Sequence, residues 1–229
     1  AGAEGYNTAV GYDSGRLITT GINNTLVGAL AGDALTDADN NVAVGEEALS
    51  TDTLGSKSTA IGGNALANQN YATATDSFNT AVGFDAGVAV TTGTENVLIG
   101  GLAGDALTNG GQNVAVGHAA LSAEDGHGQN VAIGYLALVA QNAGATAYNT
   151  AVGSQAGAAV TTGIKNTLVG GLAGDAMTTG SNNQFIGYGA AGTGVVTGSS
   201  NTAIGVAALA PLTSGSNNTA IGEDSGSGL

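Results

Sequence analysis

The chain has 229 residues, 41 of them Gly, with one Pro, no Cys and a formal net charge of −14. Seventeen acids stand against three bases, Arg16, Lys57 and Lys165, so no basic patch can form and nucleic acid is excluded as a partner. The lack of Cys removes disulfides and thiolate metal sites, and no apolar run is long enough for a membrane-spanning helix, so no membrane insertion is expected.

The first element is Asn7-Thr8-Ala9-Val10-Gly11, and it returns along the whole chain. Later copies begin at Asn24, Asn41, Ser58, Asn79, Asn96, Asn113, Asn130, Asn149, Asn166, Asn183, Asn201 and Asn218. Most copies lie 17 residues apart, with longer steps at Ser58–Asn79 and Asn130–Asn149. A fixed period of this kind means a solenoid, read here as a single β-solenoid domain over residues 1–229 with about 13 coils. Ala1 to Tyr6 matches the end of a later coil, Gly144 to Tyr148, so the sequence starts in mid-repeat and is expected to be a segment cut from, or processed out of, a longer chain; its first residues do not read as a signal peptide, which says little for that reason.

Within a coil, the second and fourth motif places share one face of a strand, and the first, third and fifth share the other. The fourth place is always Val or Ile: Val10, Val27, Val44, Ile61, Val82, Ile99, Val116, Ile133, Val152, Val169, Ile186, Ile204 and Ile221. β-Branched side chains suit a buried pleated surface, so this column is expected to be the structural core. The third place, mostly Ala, is then expected outside, as a small apolar face that needs cover from other copies of the chain. A second short strand is expected at dipeptides such as Ala48-Leu49, Ala65-Leu66, Ala86-Gly87 and Ala120-Leu121. The Asn column is expected to be structural, stacking from coil to coil and tying down the preceding turn.

A longer period overlies the first. Asn7, Asn79, Asn149 and Asn218 head coils of the same kind, so four-coil cassettes repeat. In the first two cassettes the fourth coil carries an enlarged loop, Ala67 to Phe78 and Val139 to Tyr148. Loops on a rigid scaffold are the usual place for recognition. Asn68, Gln69, Asn70, Tyr71, Gln141, Asn142 and Tyr148 are therefore the candidate ligand-binding residues, with amides and aromatic faces suited to sugars.

Strings such as Asn217-Asn218-Thr219-Ala220-Ile221-Gly222 and Ser200-Asn201-Thr202-Ala203-Ile204-Gly205 resemble the head repeat of YadA-type trimeric autotransporter adhesins and related phage or bacterial tail-fibre repeats. The likeness covers nearly the whole chain. It implies a left-handed parallel β-roll, three chains packed side by side as a homotrimer, and an extracellular, cell-surface or virion location. The 17-residue coil is longer than the usual adhesin head repeat, which points towards the tail-fibre-like variant.

No enzyme is expected. The narrow coil leaves little room for a pocket, no Ser lies in a GxSxG turn, and no carboxylate pair sits in an apolar cleft. The Gly100–Leu107 stretch, with its partners Gly28–Leu35 and Gly170–Met177, is similar to a calcium nonapeptide, but Ala103 stands where Gly is needed. A tight turn capped by Asp is preferred there to calcium, and no cofactor is expected. His118 and His127, with Glu124 and Asp125, read as a solvated loop rather than a metal site. The expected function is that of a structural and adhesive fibre segment attaching to a host-cell surface, glycan or matrix. A pure spacer is the alternative. An ice-binding solenoid is less favoured, because the motif Thr shares the face assigned to the core.

Overall fold

A computed structural model of the chain describes residues 5–227, so residues 1–4 of the leading Ala1–Tyr6 segment lie outside it. Two compact units are present, Ala1–Gln112 and Asn113–Leu229. The first contains β1 (Thr8–Val10), β2 (Thr25–Val27), β3 (Val42–Val44), β4 (Gly55–Ser56), β5 (Thr59–Ile61), β6 (Thr75–Asp76), β7 (Thr80–Val82) and β8 (Val97–Ile99). Strands β1, β2, β3, β5, β7 and β8 pair in that order, all parallel and in register, so motif places align from coil to coil. Strands β4 and β6 form a separate short parallel ladder. The second unit contains β9 (Val114–Val116), β10 (Val131–Ile133), β11 (Thr150–Val152), β12 (Thr167–Val169), β13 (Gln184–Ile186), β14 (Thr202–Ile204) and β15 (Thr219–Ile221), paired in sequence order and parallel. Each unit is an all-β solenoid with one motif strand per coil. Parallel neighbours need a crossover of about a dozen residues, and the rest of each coil supplies it.

The two strand faces are reversed relative to the expectation from residue type. The third place points inward: Leu26, Ala43, Ala60, Ala81 and Leu98 in the first unit are fully buried, as are Ala115, Ala132, Ala151, Leu168, Phe185 and Ala203 in the second. The expected core column instead faces outward. Val10, Val27, Val44, Ile61, Val82 and Ile99, and in the second unit Val116, Ile133, Val152, Val169, Ile186, Ile204 and Ile221, are all half-buried or exposed. The inward column shares the interior with the side chains of the turns: Leu26, Leu98 and Leu168 fit in it where the turn carries Gly, and Ala stands in it where the turn carries a buried Leu such as Leu49 or Leu121.

The expected second strand is also absent as an extended segment. In the coil headed by Asn41, Glu47 and Leu49 both have φ of 55°, and the alternation at Glu47-Ala48-Leu49 turns the chain sharply. A positive φ costs a non-Gly residue about 1–2 kcal/mol. Full burial of Leu49 contributes about 1.5–3 kcal/mol, enough to offset it. The turn remains tied to the next coil, with Leu49 N donating to Ala65 O at 3.0 Å.

Side-chain size alternates between the two walls. Where the strand's inward residue is Leu98, the inner turn is Gly104, and a Cβ there would lie 2.8 Å from both Leu98 Cδ2 and Leu107 Cδ1. Gly32 is held to the same rule by Leu26 and Leu35. Where the inward residue is Ala43, Ala60, Ala115 or Ala132, the turn carries buried Leu49, Leu66, Leu121 or Leu138. The first coil of a cassette is small on both walls, Ala81 with Gly87 and Ala151 with Gly157, because Leu66 and Leu98, or Leu138 and Leu168, reach in from the adjoining coils, so the fixed coil order is a packing code read across neighbouring coils. The motif Gly has a different cause: Gly83 has φ +142°, and a Cβ would sit 2.5 Å from Gly100 O in the next coil.

The Asn column closes the coils from inside. Asn24 Oδ1 accepts from Asn41 N at 2.9 Å, while Asn24 Nδ2 donates to Ala38 O at 2.7 Å. The same pair of bonds recurs in the second unit, for example from Asn149 Oδ1 to Asn166 N at 2.8 Å and from Asn149 Nδ2 to Gly163 O at 2.7 Å. These groups are buried, so losing one strands its partner at a cost of about 1–3 kcal/mol.

Candidate functional site

The enlarged loops are built around inward-pointing polar groups. Gln69 and Gln141 are fully buried and Tyr71 is nearly so, which removes these three from the candidate ligand-binding set. Gln69 Nε2 donates to Asp52 Oδ2 at 2.6 Å and to Ser58 Oγ at 2.8 Å, and its Oε1 accepts from Asn79 Nδ2 at 2.8 Å. Tyr71 Oη donates to Gly93 O at 2.7 Å. Ser58, the one departure from Asn, belongs to this network, with its Oγ accepting from Gln69 Nε2. Burial pushes the Asp52 carboxyl up despite the bonds it accepts from Gln69, Gly55 and Leu54. Burial, and then the charge of Asp52, push the Tyr71 hydroxyl up as well. Asn68, Asn70, Asn142 and Tyr148 remain exposed. Asn68 Nδ2 is tied to Val88 O at 2.9 Å, and Asn70 Oδ1 accepts from Thr53 Oγ1 at 3.1 Å.

Asp52 and Gln69 occupy an interior column that is apolar in other coils, where Leu35, Val90 and Leu107 stand in the first unit and Val160 and Met177 in the second. The sequence reading missed this column; its signal was two acids and two Gln at the spacing of buried Leu and Val. In the second unit it holds Glu124 and Gln141, both fully buried. Within that loop Glu124 is therefore not solvated, whereas Asp125 is exposed and His127 half-buried. Glu124 Oε1 accepts from His127 N at 3.1 Å and lies 3.1 Å from His127 Nδ1. Glu124 Oε2 and Gln141 Nε2 have no hydrogen-bond partner. Burial pushes the Glu124 carboxyl up, against the lowering effect of His127. Ligand atoms of Glu124, Asp125 and His127 all lie within 4.8 Å of one another. His118 stays apart from them, exposed and stacked on Tyr135 with ring centroids 5.9 Å apart.

The Gly-rich turns Gly28–Leu35, Gly100–Leu107 and Gly170–Met177 owe Gly32, Gly104 and Gly174 to the bulk of Leu26, Leu98, Leu168 and Phe185.

The broadest candidate surface is the outward strand face. Beside the Val and Ile column runs the second-place column: Thr8, Thr25, Val42, Thr59, Thr80 and Val97 in the first unit, and Val114, Val131, Thr150, Thr167, Gln184, Thr202 and Thr219 in the second. No charged side chain stands on these strand faces, although the chain carries seventeen acids. The motif Thr therefore points outward, which removes the reason for setting ice binding aside. Tyr12, Phe84, Tyr135 and Tyr188, just after the motif Gly, are also exposed. Among the described residues no helix is long and apolar enough to cross a membrane. No family model, curated protein or solved structure matches this chain.

Proposed function

We propose that this chain is a structural and adhesive fibre segment, a left-handed β-roll that assembles as a parallel homotrimer and attaches to a host-cell surface, glycan or matrix from an extracellular or virion position. The observation that carries this reading is the uncharged outward face of Val, Ile and Thr. Fully burying one Val or Ile contributes about 1.5–3 kcal/mol, and these side chains have part of that still to gain. Summed over six or seven coils per unit, the gain reaches the 4–15 kcal/mol that association costs. Handedness, location and the adhesive role rest on the likeness to adhesin and tail-fibre repeats. The exposed Asn68, Asn70, Asn142 and Tyr148 are the side chains for glycan contact.

Light scattering of the wild-type chain should give a trimer. Val44→Lys together with Val152→Lys should give a folded monomer by circular dichroism, because both positions face outward. A stable wild-type monomer at micromolar concentration would sink the proposal. A glycan array with the trimer separates an adhesin from a pure spacer.

A second reading uses the same face. In-register Thr side chains pointing outward favour ice binding, which requires that face to be free. A monomer with thermal hysteresis, lost in Val152→Lys, would replace the fibre reading; a trimer without hysteresis would dismiss it.

A further inference from the structure

We infer that Glu124, Asp125 and His127 form a binding site for a borderline divalent cation of the Zn²⁺ class. Their ligand atoms lie within 4.8 Å of one another, so side-chain adjustment of the exposed Asp125 and the half-buried His127 would bring all three within the roughly 2.0–2.2 Å of a single ion. Glu124 is fully buried, and its Oε2 has no hydrogen-bond partner. A buried carboxyl group is satisfied by a full set of donors, by a cation or by a proton, and an unpartnered oxygen beside two further ligand residues is where a cation can take the proton's place.

The equivalent place in the first cassette shows the other solution. Asp52 Oδ1 accepts from Gly55 N at 2.9 Å, and Oδ2 accepts from the Gln69 amide at 2.6 Å. The residues one and three places after Asp52 are Thr53 and Gly55, which bring no metal ligand. After Glu124 the same places hold Asp125 and His127, and the Gln141 amide nitrogen, counterpart of the Gln69 donor, is itself without a partner. So the cassette that has lost the amide-to-carboxylate bond is the one that has gained two ligand residues. The main chain at the site is fixed, because His127 O accepts from Asn113 Nδ2 at 3.1 Å.

The donor set selects the ion. One imidazole nitrogen and two carboxylates, with water in the remaining position, suit tetrahedral Zn²⁺. Ca²⁺ needs six to eight oxygens, more than these residues supply. His127 Nδ1 must be unprotonated to ligate, so uptake weakens at acid pH.

The test is calorimetric titration of the full chain, stripped with chelator, using ZnCl₂ alone. Binding of one ion per chain and an upward shift of the melting temperature are expected, with no comparable response to CaCl₂. Glu124→Gln preserves shape and should lose the binding. His127→Ala, at a partly exposed loop position, should weaken it at least tenfold, and His118→Ala should leave it unchanged. Absence of zinc binding at millimolar concentration would overturn the site, as would full retention in His127→Ala or loss in His118→Ala. Should Glu124→Gln misfold, His127→Ala and His118→Ala carry the decision.

Discussion

Asp52 and Glu124 stand at the same place in successive cassettes, yet the first has its carboxylate oxygens partnered and the second does not. Both are accompanied one coil later by a buried Gln whose Oε1 accepts from the next Asn, Asn79 in one case and Asn149 in the other. The loops around Gln69 and Gln141 differ, however. The 21-residue step after Ser58 carries Tyr71 and Ser77, which complete the network, and Ser58 itself accepts from Gln69. The 19-residue step after Asn130 has Asn at the head of its coil and no such acceptor, so the second Gln nitrogen is stranded. A polar group in a narrow interior is thus tolerated only together with a rebuilt loop, and a loop rebuilt by two residues fewer leaves a gap in the network. Third-cassette coils avoid the problem with Val196 and Leu212 in the column.

The largest effect should come from breaking the complete network. Gln69→Leu removes the donor to Asp52 and Ser58 and the acceptor for Asn79 in one step. It is expected to cost about 2–4 kcal/mol, because it strands Asp52 Oδ2 and removes two further bonds, while Asp52 Oδ1, Ser58 and Asn79 keep their other partners. Chemical denaturation measures it, and a loss below about 1 kcal/mol would mean that the Asp52 charge is satisfied by other groups. Gln141→Leu should cost less, about 1–2 kcal/mol, because only the bond to Asn149 is lost and the nitrogen is already without a partner. Equal losses for the two substitutions would refute the contrast between the cassettes.

The smallest effect concerns pH. Burial raises the Asp52 carboxyl above its ordinary value of 3.8, so the folded chain holds that proton to higher pH than the unfolded chain does. Between the two values the folded state binds more protons, and raising pH through that window lowers stability. Asp52→Asn should reduce this fall. Glu124 and Asp175 are raised in the same direction, so part of the slope should persist. Urea midpoints between about pH 4 and pH 8 give the comparison, and an unchanged slope would show that Asp52 ionises in the folded state as readily as in the unfolded one.

By itself the sequence determined the repeat: the coil length, the position of the motif strand, the Asn ladder and the Gly at each coil edge. These follow from local rules, because stacked coils demand the same backbone at the same place. Only the tertiary structure decided which strand face lies inside. Alternation defines two faces without labelling them, and the preference of Val and Ile for pleated surfaces pointed to the wrong one. The inward residue is Ala43 rather than Val44, and the turn of the same coil contributes buried Leu49 to the interior; larger inward residues such as Leu26 and Leu98 stand where the turn carries Gly. The loops show the same limit. Gln69, Tyr71 and Gln141 look like surface amides and an aromatic platform in the sequence, but the buried carboxylates of Asp52 and Glu124 belong to the same interior column. An unpaired polar group cannot be left there, so the enlarged loops turn their polar side chains inward, and that demand exists only once the coils are stacked.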